Sequence, residues 1–299
     1  MTGTKPKDAM DTTQSSLSNP LLYRRRKLVN GVGLTLSSAS MALGLAALLW
    51  ILWTLFYNGL SAFNADFFLS STPAPGTEGG GLANAIVGSV LMVAFATLVA
   101  TPIGILAGLY LAEFGATSRF ASVTRFVTDI MLSAPSIVIG LFVYALAVAT
   151  VKHFSGWAGS LALSLIAIPV VVRTTENMLQ LVPGSLREAA FALGAPRWKV
   201  SLSVTLRAVR GGVVTGVLLA VARVIGETAP LLFTALNNQF FTADMSKPMA
   251  NLPVVIYNFA MSPYENWQRL AWGGAALIAL IVLGINIAAR MLFRDKLQA

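Results

Sequence analysis

Cysteine is absent from the 299 residues, and histidine occurs once, at His153. With no thiol, the chain has no disulfide, no thiolate metal or iron–sulfur ligation and no cysteine nucleophile. A single imidazole with no motif around it gives no footing for a His-based triad or a multi-histidine metal centre. No metal and no cofactor are expected. A Gly-rich loop ending in Lys-Ser or Lys-Thr is also missing, so ATP has no P-loop on this chain. Charge is scarce as well: Asp, Glu, Lys and Arg make up 11% of the residues, against about 25% in soluble domains. Paired catalytic carboxylates, metal ligands and an activated nucleophile are not evident, which argues against an enzyme.

Apolar residues fill the space that charge leaves. They form 56% of the chain, and the mean hydropathy is +0.73. They fall in continuous blocks long enough to cross a hydrocarbon core of about 30 Å. Continuity, without a period of two, favours helical spans over a barrel. The expected fold is therefore an all-α membrane protein with six transmembrane helices. The spans are placed at Gly31–Tyr57, Leu82–Ala112, Phe126–Thr150, Ala158–Leu179, Gly211–Ala235 and Leu270–Leu292. Ahead of them, the segment from Met1 to Pro20 is rich in Thr, Ser, Asp and Lys and reads as a disordered tail. The run Asn58–Gly81 holds Pro73, Pro75 and Gly79-Gly80-Gly81 and reads as an exposed loop.

The formal net charge of +9 is a topology signal. Of the 21 basic residues, Lys152, Lys247 and Arg269 fall on one side, Arg173 and Arg223 fall inside spans, and all the others fall on the opposite side. By the positive-inside rule both termini face the cytoplasm. That distribution argues against nucleic-acid binding. The spans also carry Pro102, Pro135, Pro169 and Pro230, expected to bend helices. The pairs Gly104/Gly108 and Gly212/Gly216 are expected to let helices approach closely.

Between the fourth and fifth spans lies Pro183-Gly184-Ser185-Leu186-Arg187-Glu188-Ala189-Ala190-Phe191-Ala192-Leu193-Gly194-Ala195-Pro196-Arg197-Trp198-Lys199. Ser185 and Glu188 stand at capping-box spacing. Gly194 suits a left-handed C-terminal stop, with Pro196 beyond it. The expectation is a short cytoplasmic hairpin with a second helix starting near Arg197. Ala189 and Ala190 would let a partner's backbone come close, and Arg187, Arg197 and Lys199 would be free for charge contacts. Glu188-Ala189-Ala190 followed by Gly194 resembles the EAA loop of ABC-importer permeases, which docks on the ATPase subunit. Where that family continues with Ile-x-Leu-Pro, this chain has Val204-Thr205-Leu206-Arg207, without the proline.

Arg173 and Arg223 sit in apolar runs, where an arginine at mid-helix costs roughly 2.5–3.5 kcal/mol. Glu176 and Glu227 follow at i+3 and i+4, so local pairing can offset that cost. Thr174, Thr175, Asn177 and Thr228 add polar atoms nearby, which suits a water-accessible path. Guanidinium groups bind oxyanions with paired hydrogen bonds. From the residues alone, phosphate and sulfate remain equal candidates.

The stretches Arg173-Thr174-Thr175-Glu176-Asn177-Met178-Leu179 and Gly226-Glu227-Thr228-Ala229-Pro230, with Asn251-Leu252-Pro253, resemble the phosphate-specific branch of the same permease family. The resemblance implies a type I importer bundle carrying the EAA hairpin, in a bacterial inner membrane. It also implies a sister permease, an ATPase dimer that does the hydrolysis, a phosphate-loaded periplasmic binding protein, and inorganic phosphate as substrate. Arg173 and Arg223 would then line the path, with Glu176, Glu227, Thr174 and Thr228 beside them. Ser185, Glu188, Ala189, Ala190 and Gly194 would couple to the ATPase. The binding protein would meet the outer loops, where Asn237, Asn238, Gln239, Phe240, Phe241, Tyr264 and Trp267 are candidates. Residues 1–27 would form a disordered cytoplasmic tail, 28–81 the first span and outer loop, 82–292 the permease domain, and 293–299 a second cytoplasmic tail. A permease for sulfate or molybdate, or an anion transporter that needs no ATP, would explain the same composition.

Overall fold

The structure is a computed structural model that describes residues 20–115 and 118–294; the expected tails over 1–19 and 295–299 lie outside the described residues. Every regular element among the described residues is helical. The chain divides into two compact units, Met1–Leu55 and Phe56–Ala299.

In the first unit the described residues belong to a single helix, α1 (Pro20–Leu60), which continues into the second unit. It begins well before the apolar run, so Tyr23 to Lys27 are helical and do not belong to an unstructured tail. Two local preferences explain this. Proline is pre-organised for a helix's first position, and Arg and Lys are good helix formers.

The second unit is built around α6 (Gly156–Gln180), most of whose residues are buried. Helix α3 (Ala83–Glu113) packs along one side of α6, and α9 (Arg210–Ile225) packs along another. Both glycine pairs serve these contacts. A Cβ at Gly104 would lie 2.6 Å from the Val171 Cβ, and one at Gly108 would lie 2.7 Å from the Thr175 Cβ. On the other side, a Cβ at Gly216 would lie 2.5 Å from Thr174 Oγ1, and one at Gly212 would collide with Met178. The sequence expectation of close approach is met, and α6 is the helix gripped from both sides. Around the contact lies an apolar core that includes Met92, Ala96, Leu163, Ile166, Val171 and Val224.

A second core joins α2 (Ala65–Leu69), α3, α11 (Leu252–Ala260) and α12 (Glu265–Arg294) through Phe67, Leu82, Val255, Phe259 and Leu270. Asn64 and Asn251 cap α2 and α11 by accepting hydrogen bonds from the Phe67 and Val254 amides.

Among the described residues, four helices are long and apolar enough to cross a membrane, or up to six if each of two bent pairs makes one span. The expected span Phe126–Thr150 is one such pair. Helices α4 (Arg119–Ser133) and α5 (Ser136–Val151) meet at 106°. Pro135 causes the break: it disfavours helical geometry in the residue before it, and Ala134 is extended at ψ 136°. The other pair is α8 (Arg197–Ala208) and α9, bent by 73°. The expected span Gly211–Ala235 is also interrupted, because α9 stops at Ile225 and α10 (Ala229–Thr234) starts after Gly226, Glu227 and Thr228. Pro102 and Pro169 lie inside helices that continue through them, so only two of the four prolines mark breaks.

Candidate substrate pathway and coupling hairpin

Arg173 lies within the last two turns of α6, nearer the hairpin than its apolar run suggested. Its Nη2 donates to Asp129 Oδ1 on α4 at 2.9 Å, and its Nη1 to Glu176 Oε2 at 3.5 Å. The expected pairing with Glu176 is therefore the weaker of its two contacts. The Glu176 carboxylate is 2% exposed and accepts from Arg125 Nε at 2.7 Å and from Gln180 Nε2 at 3.4 Å. Arg125 also donates from Nη2 to the Leu111 carbonyl at 2.8 Å and from Nη1 to that of Gly115 at 3.4 Å. The outcome is a four-charge cluster of Arg125, Asp129, Arg173 and Glu176, formally neutral and fully paired.

The sequence reading placed Arg125 among the topology charges and gave Asp129 no role. The missed signal was an aspartate inside an apolar run, one helical turn after an arginine. On α6 the polar residues Arg173, Asn177 and Gln180 follow one another at helical spacing on the less buried face.

Arg223 is held differently. It occupies the last turn of α9, where a cation suits the helix's negative end. Because the helix breaks at Gly226, Glu227 is not on the same regular face, and the pair opens to 3.9 Å. The Arg223 side chain is 44% exposed. Gly216 sits opposite Thr174 and Gly212 opposite Met178. That antiparallel register sets Arg223 level with position 167, about 9 Å from Arg173 along the axis at 1.5 Å per residue.

The threonines behave unlike the arginines. Thr174 Oγ1 donates to the Val170 carbonyl of its own helix at 2.8 Å and packs on Gly216. In the structure it thus takes part in a helix contact. Thr228 stands at the start of α10 without a side-chain capping bond.

The hairpin has the expected outline and different details. Helix α7 spans Gly184–Ala192 with Pro183 at its N-cap and no side-chain cap. Ser185 lies two residues inside the N-cap it would need to occupy to close a box with Glu188, so the expected capping box is not formed. Its C-terminus is as expected: Gly194 has φ +78°, donates to the Phe191 carbonyl, and is followed by an Ala195 amide bonded to Ala190 O. The second arm, α8, starts at Arg197, and Val200–Thr205 within it is π-helical. Arg187 is not presented outward. It donates to Glu113 at 2.9 Å and to the Leu179 and Val182 carbonyls at 2.9 and 2.7 Å. Glu188 and Ala189 are exposed, and Ala190 is buried.

In the outer loops, Asn84 Nδ2 donates to the Asn238 and Gln239 carbonyls, and Asn238 Nδ2 donates to that of Pro248. Trp267 stacks on Phe259 at 4.3 Å. Those groups hold the loops together, whereas Phe240 and Phe241 are exposed.

A gripped central helix, interrupted apolar helices that carry guanidinium groups, and a glycine-stopped hairpin fit a membrane permease. A family model described as "Binding-protein-dependent transport system inner membrane component" matches residues 100–296. The phosphate transport system permease protein PstA of Yersinia pestis is 55% identical over 95% of this chain and 96% of its own. That of Pasteurella multocida is 59% identical over 92% and 98%. A chain of the inward-facing MetNI methionine ABC transporter shares the fold with a TM-score of 0.59 at 19% identity, over 70% of this chain and 93% of that one. The chain therefore belongs to the inner membrane components of binding-protein-dependent transport systems, and within them to the PstA phosphate transport system permeases.

Proposed function

We propose that this chain is the permease subunit of an ATP-driven phosphate importer of a bacterial inner membrane. A single observation carries the substrate path: Arg223 is a half-exposed guanidinium at an interrupted span, with its one carboxylate 3.9 Å away. Such a group can take an oxyanion without first breaking a strong ion pair. Full-length similarity to phosphate permeases supports phosphate as that oxyanion.

The path is shared with a sister permease, and both termini lie in the cytoplasm. Arg223 receives the anion at depth, and Arg173 passes it nearer the inner mouth. The exposed side of α7, with Glu188, Ala189 and the stop at Gly194, docks on a separate ATPase dimer that hydrolyses the ATP. A phosphate-loaded binding protein meets the outer loops around Phe240 and Phe241. ATP-driven closure of the ATPases turns the bundle outward, and hydrolysis returns it.

The test is uptake of labelled phosphate by the complete complex in proteoliposomes, with unlabelled phosphate, sulfate or molybdate as competitors. Phosphate alone should compete, and uptake should stop when ATP is withheld. Equal competition by sulfate or molybdate would overturn the substrate, and uptake without ATP would overturn the class.

A further inference from the structure

Two arginines outside the pathway make a crossed arrangement. Arg125, from α4, sits on carbonyls at the end of α3, those of Leu111 and Gly115, and pairs with Glu176, a carboxylate of α6. Arg187, from the docking helix α7, sits on carbonyls at the end of α6, those of Leu179 and Val182, and pairs with Glu113, a carboxylate of α3. Each guanidinium closes one helix and grips the acid of the other. All three nitrogens of both side chains are used. Both acids are deeply buried, Glu176 at 2% and Glu113 at 9% exposed. Breaking such a pair leaves a charge without a partner at a helix end, a large cost in a low-dielectric site.

We propose that this crossed double clamp is the rigid link that carries hairpin movement to the anion path, with Arg187 and Arg125 as its positioning residues. The proposal rests on the ATP-driven reading above. Covalently, α7 joins α6 only through residues 181–183, a turn that would flex under load. Arg187 bypasses that turn. A displacement of α7 pulls the end of α6 and, through Glu113, the end of α3 at once. Arg125 ties the same α3 end to Glu176, whose second oxygen faces Arg173 Nη1 at 3.5 Å. Movement of the docking helix therefore reaches Arg173 through side chains whose guanidinium nitrogens are each already engaged.

The experiment uses the complete complex in proteoliposomes and reads anion imported and ATP hydrolysed in the same vesicles. Glu113→Gln and Arg187→Gln should each assemble normally and hydrolyse ATP within twofold of the parent. Each should import at least tenfold less anion per ATP. The double variant should be no worse than either single one, because both remove one link. The chain has no cysteine, so Glu113→Cys/Arg187→Cys introduces the chain's only thiols. Joining them with a short reversible thiol crosslinker should recover the anion-to-ATP ratio, and reduction should abolish it again. An unchanged ratio in the Gln variants would overturn the proposal, as would a crosslinked form no better than the reduced one. Equal loss of hydrolysis and import, or loss of assembly, would assign the clamp a purely structural role. The ratio is read with whichever oxyanion the parent complex imports. An error in the phosphate assignment thus shows in the parent, and an error in the clamp shows only in the variants.

Discussion

Arg173 and Arg223 look alike in the sequence, each an arginine in an apolar run with a glutamate one turn on. The structure treats them as opposites. Arg173 binds two carboxylates, Asp129 and Glu176, and shares the second with Arg125 in a neutral cluster whose anchor, Glu176, is almost fully buried. Among the described residues, Arg223 has one carboxylate at 3.9 Å and no second cation shares it. Continuity of the helix makes the difference. On unbroken α6, the glutamate and neighbouring α4 converge on Arg173. At the break after α9, the glutamate swings out of register. Pairing thus separates the two arginines more than their place in apolar runs does, and under the proposed function it would set how readily each exchanges a protein carboxylate for an anion.

The largest expected effect tests the free member. Arg223→Ala should reduce phosphate uptake by about 100-fold or more while the complex still assembles, taking about 3 kcal/mol for a lost charge-assisted contact. Uptake within a few-fold of the parent would erase the distinction. Next comes stability. Glu176→Gln leaves two arginines short of a partner and should cost about 3 kcal/mol, whereas Glu227→Gln should cost less than about 1 kcal/mol. Thermal unfolding in detergent compares them, and equal shifts would contradict the geometry. A smaller effect concerns Asp129. Arg173→Ala strands that carboxylate, so adding Asp129→Ala should recover uptake severalfold; if the double variant transports less than the single one, the two do not act as a pair.

The smallest effect lies outside the spans. Asp244 is held below the usual carboxylate range by the Ser246 backbone amide, with help from Lys247. A depressed folded pKa gives a contribution present above the unfolded value and lost as pH falls through the folded one. Asp244→Asn should lower the Tm slightly at neutral pH, and by less as the pH falls below the unfolded carboxylate range.

What could be read from residues alone followed from chemistry confined to one or two positions. Gly194 was legible because a left-handed stop strongly favours glycine. The seams at Gly104, Gly108, Gly212 and Gly216 were legible because close helices exclude side chains. Pro135 was expected to bend its span, but the size of that bend and the break at Gly226 were not legible, since a hydropathy window measures composition and is blind to direction. Arg125 and Arg187 were misplaced for a related reason. Both lie at ends of apolar runs, where a basic residue reads as topology, and only tertiary packing turns them inward onto Glu176 and Glu113. Ser185 missed the cap because the N-cap falls at Pro183, two residues earlier than a box with Glu188 requires.

The right-angle bend between α4 and α5 also bears on the order of events during synthesis. At 15 residues, α4 is about 22 Å long and cannot cross a bilayer by itself. It emerges carrying Arg125 and Asp129, whose partners lie 51 and 44 residues further along the chain. Until α6 follows, Arg125 has the Leu111 and Gly115 carbonyls but not Glu176, and Asp129 lacks Arg173. The full set of contacts on α4 is therefore completed late, by a helix that had not been made when α4 left the ribosome.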